Sequence, residues 1–233
     1  MIHTDQIKRV VREHYAQSLQ TGCCGAGSTC CGIEPAGDLA IAGPALGCGT
    51  PLGYAELKTG ETVLDLGSGA GREVLMAARE VGPDGHAIGV DMTPEMITTA
   101  RENARRNNLS NAEFRLGEIE QLPIATGSAD VVISNCVINL VPDKNRAFAE
   151  AFRALKPGGR LIVSDMVTHG VLPDAMRSDL TAWAGCVAGA VDVQEYTAVI
   201  ERAGFRESEI LARTDAAPGQ VFSVTVRARK PRS

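Results

Sequence analysis

The sequence predicts an α/β fold, a doubly wound parallel sheet with helices on both faces. Three observations carry that expectation. From residue 61 onward, short apolar runs of strand length alternate with longer segments at helical period. A turn rich in glycine, Gly67-Ser68-Gly69-Ala70-Gly71, joins the first such strand to the first such helix. The 233 residues are 44% hydrophobic and 22% charged, the balance of one globular domain that buries its core without metal or disulfide staples.

Each element follows from its local pattern. Residues 4–19 read as a helix with Ile7, Val10, Val11, Tyr15 and Leu19 on one side. Residues 21–53 are too dense in Gly and Cys for a long regular element. Residues 1–57 are therefore expected to form an N-terminal helix and a Cys/Gly-rich arm or lid, and 58–233 the main domain. Residues 62–66 are the first strand and 71–81 the first helix of that domain. Pro83-Asp84-Gly85 turns the chain into a second strand, 86–90, ending at Asp91. Thr93 as N-cap and Pro94 at the first helical position open a helix that runs to about Asn107. Strands follow at 113–116 and 130–134, then a helix at 145–155. Lys156-Pro157-Gly158-Gly159 turns into a fifth strand, 160–164. Residues 180–191 and 193–203 read as helices. Residues 221–226, Val-Phe-Ser-Val-Thr-Val, alternate at period two and predict a final antiparallel strand. The basic tail 227–233 is expected to fray.

Several function classes are disfavoured. A net charge of −5 argues against a nucleic-acid binder, which carries a basic face. The longest apolar stretches are strand-sized, so no membrane span is expected. The first ten residues lack an apolar signal core. A cytoplasmic location is expected, where the seven cysteines stay reduced and available as ligands or nucleophiles.

The glycine turn narrows the chemistry. Counted from Gly67, the third glycine of the dinucleotide fingerprint would fall at Arg72. The glycines instead stand at 67, 69 and 71, with Asp65 ahead of them. That spacing resembles the S-adenosylmethionine loop of class I methyltransferases. The chemistry explains the difference: a pyrophosphate favours a bare helix N-terminus, whereas the methionine end of S-adenosylmethionine carries an ammonium that Asp65 can attract through water. Glycine lets the backbone approach the ligand closely. Asp91, ending the second strand, can accept both ribose hydroxyls. Leu122-Pro123-Ile124-Ala125 with Ser128–Ile133, and Leu155-Lys156-Pro157-Gly158-Gly159, resemble the segments before the fourth and fifth strands of those enzymes. Gly117-Glu118-Ile119 stands where that family contacts adenine. The cofactor set expected from this resemblance is Asp65, Gly67, Ser68, Gly69, Gly71, Asp91, Met92, Gly117, Glu118, Ile119 and Asn135.

The cysteines stand in three groups: Cys23, Cys24, Cys30 and Cys31 in the arm, Cys48 at its end, and Cys136 and Cys186 in the domain. Buried free cysteine is often a small hydrophobe. Adjacent pairs six residues apart fit zinc spacing poorly. A third reading is a site for a soft, thiophilic element. Cys136 directly follows the fourth strand, and the C-terminal strand ends of a doubly wound sheet face the ligand crevice. Small residues flank Cys186 on both sides.

Val132-Ile133-Ser134-Asn135-Cys136-Val137-Ile138-Asn139-Leu140-Val141-Pro142-Asp143-Lys144 resembles the signature of arsenite S-adenosylmethionine methyltransferases. Gly47-Cys48-Gly49, the stretch 85–96 and Gly185-Cys186-Val187-Ala188-Gly189-Ala190 resemble the same family, so the likeness covers roughly residues 6–205. It implies a seven-stranded, Rossmann-like methyltransferase core, with an arsenic-binding layer near 168–205. It also implies that Cys48, Cys136 and Cys186 are the arsenic-binding and catalytic cysteines. Departures are Leu46, where some relatives have Tyr, and Gly185, where some have Glu. The implied substrates are arsenite and methylated trivalent arsenicals, with a thiol reductant such as glutathione or thioredoxin as partner. Trivalent arsenic is soft and prefers thiolates, and three of them leave its lone pair free to attack the sulfonium methyl in line. The four histidines are scattered, and Trp183 and Tyr196 read as packing residues. Two alternatives stand beside this reading. One is a class I enzyme methylating carbon or oxygen of a small lipid-like molecule, which the 4% aromatic content disfavours. The other is a non-catalytic, thiol-rich metalloid-binding protein.

Overall fold

In the computed structural model the described residues are 3–21, 37–44, 46–215 and 220–232. The helical pattern at the start gives α1, Thr4–Thr21, whose Ile7 and Val11 are buried. After a 3₁₀ turn at Pro51–Tyr54, the alternating region builds β1 (Thr62–Leu66), α2 (Arg72–Val81), β2 (His86–Asp91), α3 (Pro94–Arg106), β3 (Ala112–Leu116) and β4 (Ala129–Asn135). Then come α4 (Lys144–Ala154), β5 (Leu155–Thr168), the short α5 (Asp174–Arg177) and α6 (Leu180–Ala184), α7 (Val193–Arg202), β6 (Arg206–Asp215) and β7 (Val221–Arg229).

The seven strands form one sheet in the order β3-β2-β1-β4-β5-β7-β6. The first five run parallel, and β7 alone runs against them, pairing antiparallel with β5 on one side and β6 on the other. Alternation along the strands sends side chains to two cores. Leu64 and Leu66 of β1 join Phe148 of α4 and Tyr196 of α7 on one face. Val63 joins Leu75 of α2 and Ala100 of α3 on the other. The strand order reverses between β1 and β4, which places a crevice at their C-terminal ends. Among the described residues no helix is long and apolar enough to cross a membrane.

Four sequence expectations need correction. The helix expected over 180–191 ends at Ala184, because Cys186 sits at φ 61° and Val187 and Ala188 both donate back to the Ala182 carbonyl. Strand β6 was not expected, since its residues, Arg-Glu-Ser-Glu-Ile-Leu-Ala-Arg-Thr-Asp, show no apolar alternation and pair with β7 through two register shifts. The turn expected at 156–159 is absorbed into β5 as an irregularity between the Ala129–Leu155 and Val131–Arg160 pairs. The tail does not fray through residue 230: β7 extends to Arg229, and Lys230 donates to the carbonyls of Phe152 and Leu155. Cys23, Cys24, Cys30 and Cys31 lie outside the described residues.

Candidate active site

A cavity of about 330 Å³ opens over the C-terminal ends of β1, β2 and β4. One end is lined by Asp65, Gly67, Ser68, Gly69, Glu73, Asp91 and Met92, with Gly117, Glu118 and Ile119 beside them. The other end is lined by Asn135, Cys136 and Cys186. Helix α1 roofs the space with Lys8, Val11, His14 and Tyr15.

The glycine turn shapes the first end. Gly67 and Ser68 both donate to the Val90 carbonyl, which folds the turn back over β2. A Cβ on Gly67 would meet Val137 at 2.5 Å, so no larger residue fits there. Gly69 differs: at φ 51° its missing Cβ would meet nothing within 4 Å, so the turn presents bare backbone to open space. Gly71 does not line the cavity. A Cβ there would meet Phe114 at 2.6 Å, so this glycine lets α2 close onto β3 rather than contacting a ligand. The Ser68 hydroxyl has no partner, and its side chain leans against Gly89.

Asp91 is held by two backbone donors, Gly69 N–H at 2.9 Å and Thr93 N–H at 2.8 Å. The Thr93 side chain makes no cap bond to α3, contrary to expectation. Three carboxyls are sunk around this end. Burial, with the like charges of Glu73 and Asp91, pushes Asp65 far up. Burial lifts Glu73 to about 7, against a lowering bond from Asn135. Burial also raises Asp91, against its backbone donors. A cationic ligand would relieve all three. Gly69's open cradle and this acidic ring fit S-adenosylmethionine, whose sulfonium and ammonium are both positive.

Glu118 lines the cavity, but its carboxylate is engaged by α1: Lys8 Nζ lies 2.7 Å from Glu118 and 2.9 Å from Glu120, and Arg12 lies 3.9 Å from Glu118. Gly117 and Ile119 line the cavity on either side of it.

At the far end, Cys48, Cys136 and Cys186 are drawn together from three separate segments. The Cys136 thiol neighbours both others, and Cys186 Sγ donates to the Cys136 carbonyl at 3.1 Å. Tyr15 Oη lies 3.7 Å from Cys186 Sγ. Cys48 does not line the cavity and stands beside Cys136 on the strap 46–50. Cys136 and Cys186 both adopt φ 61°, a left-handed conformation costing about 1–3 kcal/mol at a non-glycine residue. Hydrogen bonds to Cys186 and Cys48, then burial, hold the Cys136 thiol well above the ordinary range. For Cys48 the bond to Cys136 lowers its pKa, but burial and the charges of Asp165 and Cys186 prevail and raise it. Both thiols are therefore neutral near pH 7. Among the described residues no three His, Cys or acidic side chains are closed tightly enough to hold a metal ion. The thiols stand as close neighbours rather than as a closed cage.

Asn135, expected to touch the cofactor, lines the cavity and also holds the strap. It accepts from Cys48 N–H at 3.0 Å and donates to the Gly49 carbonyl at 2.8 Å and to Glu73 Oε1 at 3.0 Å. Sequence reasoning also missed Lys8 and Glu73. Lys8 is one cation on an amphipathic helix, and only its contacts identify it. Glu73 was recognisable only as an acid in the first turn after the glycine loop.

The methyltransferase domain family matches residues 57–204. An arsenite methyltransferase of Halobacterium salinarum is 44% identical over 97% of this chain and 67% of its own length. One from Aquipseudomonas alcaligenes is 37% identical over 86% of this chain and 62% of its own. This chain thus spans about two thirds of the length of these relatives. The crystal structure of CrArsM, an arsenic(III) S-adenosylmethionine methyltransferase from Chlamydomonas reinhardtii, aligns with a TM-score of 0.65 and 32% identity, covering 95% of this chain and 74% of that one.

Proposed function

The chain belongs to the arsenite methyltransferase family, S-adenosylmethionine-dependent enzymes, and we propose that it methylates trivalent arsenic held by Cys48, Cys136 and Cys186. One observation carries the reading: a single cavity runs from the Gly67–Ala70 turn and Asp91 to Cys136 and Cys186. Donor and acceptor therefore share one cavity.

The raised thiols suit the loading step. Arsenous acid is neutral, and three thiols exchange their protons for its three hydroxyls, releasing three waters and leaving a neutral tris-thiolate. No negative charge is stranded in the buried site. Arsenic keeps its lone pair, which three sulfur bonds leave free. Bound S-adenosylmethionine supplies an electrophilic methyl on a positive sulfur. Asp65, Glu73 and Asp91 favour that cation, Gly69 gives its methionine end clearance, and Asp91, fixed by Gly69 and Thr93, stands ready for the ribose hydroxyls. The role of the protein is to orient the two reactants in line. The departing thioether is neutral, so no general acid is required.

Transfer oxidises arsenic formally by two electrons. Two of the thiolates return them by leaving as a disulfide, and water supplies a hydroxide to the arsenic and releases the proton that carries off the sulfonium's charge, which gives neutral methylated arsenic(III) on the remaining thiolate. A thiol reductant of the glutathione or thioredoxin kind then restores the pair. A cytoplasmic location keeps such reductants at hand.

The test is product speciation by chromatography with methyl-labelled S-adenosylmethionine, excess thiol, and either arsenite or monomethylarsenite. Label should appear on arsenic with both substrates. Arsenite has three exchangeable positions and monomethylarsenite two. Cys48→Ser should therefore stop the first methylation and leave the second largely intact, while Cys136→Ser and Cys186→Ser stop both. Binding of arsenite without label transfer would make the chain a sequestering protein and overturn the proposal. If Cys48→Ser loses both activities equally, or Cys186→Ser keeps either, the division of labour among the thiols fails.

A further inference from the structure

The two asparagines that bracket Cys136 each hold the segment carrying another cysteine. Asn135 ends β4 and accepts from the Cys48 amide while donating to the Gly49 carbonyl. Asn139, in the 3₁₀ turn Ile138–Leu140, donates through Nδ2 to the Met166 carbonyl at 2.7 Å and to the Cys186 carbonyl at 3.3 Å. We propose that Asn135 and Asn139 are positioning residues of the arsenic site, Asn135 setting Cys48 beside Cys136 and Asn139 setting Cys186. The proposal rests on the assignment of the three thiols as arsenic ligands.

Three observations favour positioning over packing. First, Asn139 is wholly buried and its Oδ1 has no partner. An apolar side chain of the same size would fill that space without the desolvation cost of an orphaned acceptor, so the amide is retained for what its nitrogen holds. Second, the strap is fitted to Asn135 with no slack. A Cβ on Gly47 would come within 2.5 Å of Asn135 Nδ2, and one on Gly49 within 2.6 Å of Ser164. Glycine on both sides of Cys48 is thus required for the strap to lie against Asn135 and Ser164. Third, Cys136 and Cys186 keep left-handed backbones, which persist only where surroundings over-determine them. The bond that Cys136 N–H donates to the Ser164 carbonyl fixes one of these. Asn139, gripping the Cys186 carbonyl, fixes the other. A Cβ on Gly189 would meet the Asn139 carbonyl at 1.8 Å, so the Cys186 loop also lies directly on this residue.

The arrangement explains the Asn-Cys-Val-Ile-Asn spacing as one device. The strand end supplies the central thiol, and the amides before and after it reach the two segments that bring the outer thiols. Asn135 reaches further, since its other amide proton goes to Glu73 at the cofactor end.

The sole tryptophan, Trp183, reports on this site. It packs against the thiol cluster, and its carbonyl accepts from Cys186 N–H. The experiment titrates the full chain with arsenite and with monomethylarsenite, without S-adenosylmethionine, and reads Trp183 fluorescence. Asn135→Leu should weaken arsenite binding about tenfold and leave monomethylarsenite within about twofold. Asn139→Leu should weaken both about tenfold. In a Cys48→Ser background, Asn135→Leu should add no further loss, because it acts through that thiol. Circular dichroism checks the fold, and the milder Asn139→Ser serves if Asn139→Leu does not fold. Folded variants that bind like wild type, or additive losses for Asn135 and Cys48, overturn the positioning role. If wild type and Cys136→Ser give the same titration, the ligand assignment itself falls, and this inference with it.

Discussion

Cysteine rarely occupies a left-handed backbone, yet Cys136 and Cys186 both do. Two strained thiols meeting at one cavity mark a site held for chemistry rather than for packing. Sequence position singled out both, because one follows a strand that ends at the crevice and the other lies among small residues. The sequence did not reveal which partners each side chain takes. Asn135 faces the strap, Gly71 faces Phe114, and Glu118 faces Lys8, because spacing assigns a residue to a strand end but not to one of the several neighbours waiting there. Glu73 carries a prediction of its own. Burial raises it to about 7 in the free protein, so below that pH it is largely protonated. A cationic ligand favours the ionised form, and binding then releases a proton. Affinity for S-adenosylmethionine should therefore rise from pH 6 to pH 7, by up to about tenfold per unit, and level off above. Calorimetry across this range should show the rise, and Glu73→Gln should flatten it. An unchanged slope in that variant would remove Glu73 from the binding account.

At the scale of elements, α1 is the one that joins the two ends of the site. Lys8 ties it to Glu118 and Glu120 beside the cofactor end, and Tyr15 ties it to Cys186 and the Ala184 carbonyl. The amphipathic pattern was sufficient to place this helix. The docking partner was not legible, because it lies more than a hundred residues away in the sequence. The same limit hid the Cys186 loop. Residues 180–191 carry a helical pattern, and only tertiary contact with Asn139 and β5 breaks it. Strand β6 escaped for the opposite reason: it is an edge strand whose described side chains are exposed or half-buried, so neither face demands apolar alternation. The latch can be tested by Lys8→Ala. Loss of the ion pairs should weaken S-adenosylmethionine binding roughly two- to fivefold, with KM rising and kcat nearly unchanged at saturation. A fall in kcat with KM unchanged would mean that the helix acts on the chemistry and not on the closure.

For the whole molecule, the alternation of strands and helices and the glycine turn were enough to predict the doubly wound sheet and its crevice. The antiparallel pair β7 and β6 at one edge completes the sheet beyond β5 and supplies Ser223, which donates to the Cys48 carbonyl at 2.7 Å. So the edge furthest from the glycine turn in the chain steadies the strap, a role no local pattern announces. The fold thus converges a strand end, a strap and a loop on one point, and the central claim is that arsenic binds there through three sulfurs. X-ray absorption at the arsenic edge measures this directly, on the full chain with one equivalent of arsenite. Three sulfur neighbours are predicted in wild type, and two sulfurs with a light atom in Cys136→Ser. An undiminished shell of three sulfurs in Cys136→Ser, or oxygen ligands in wild type, would place arsenic elsewhere and contradict the account.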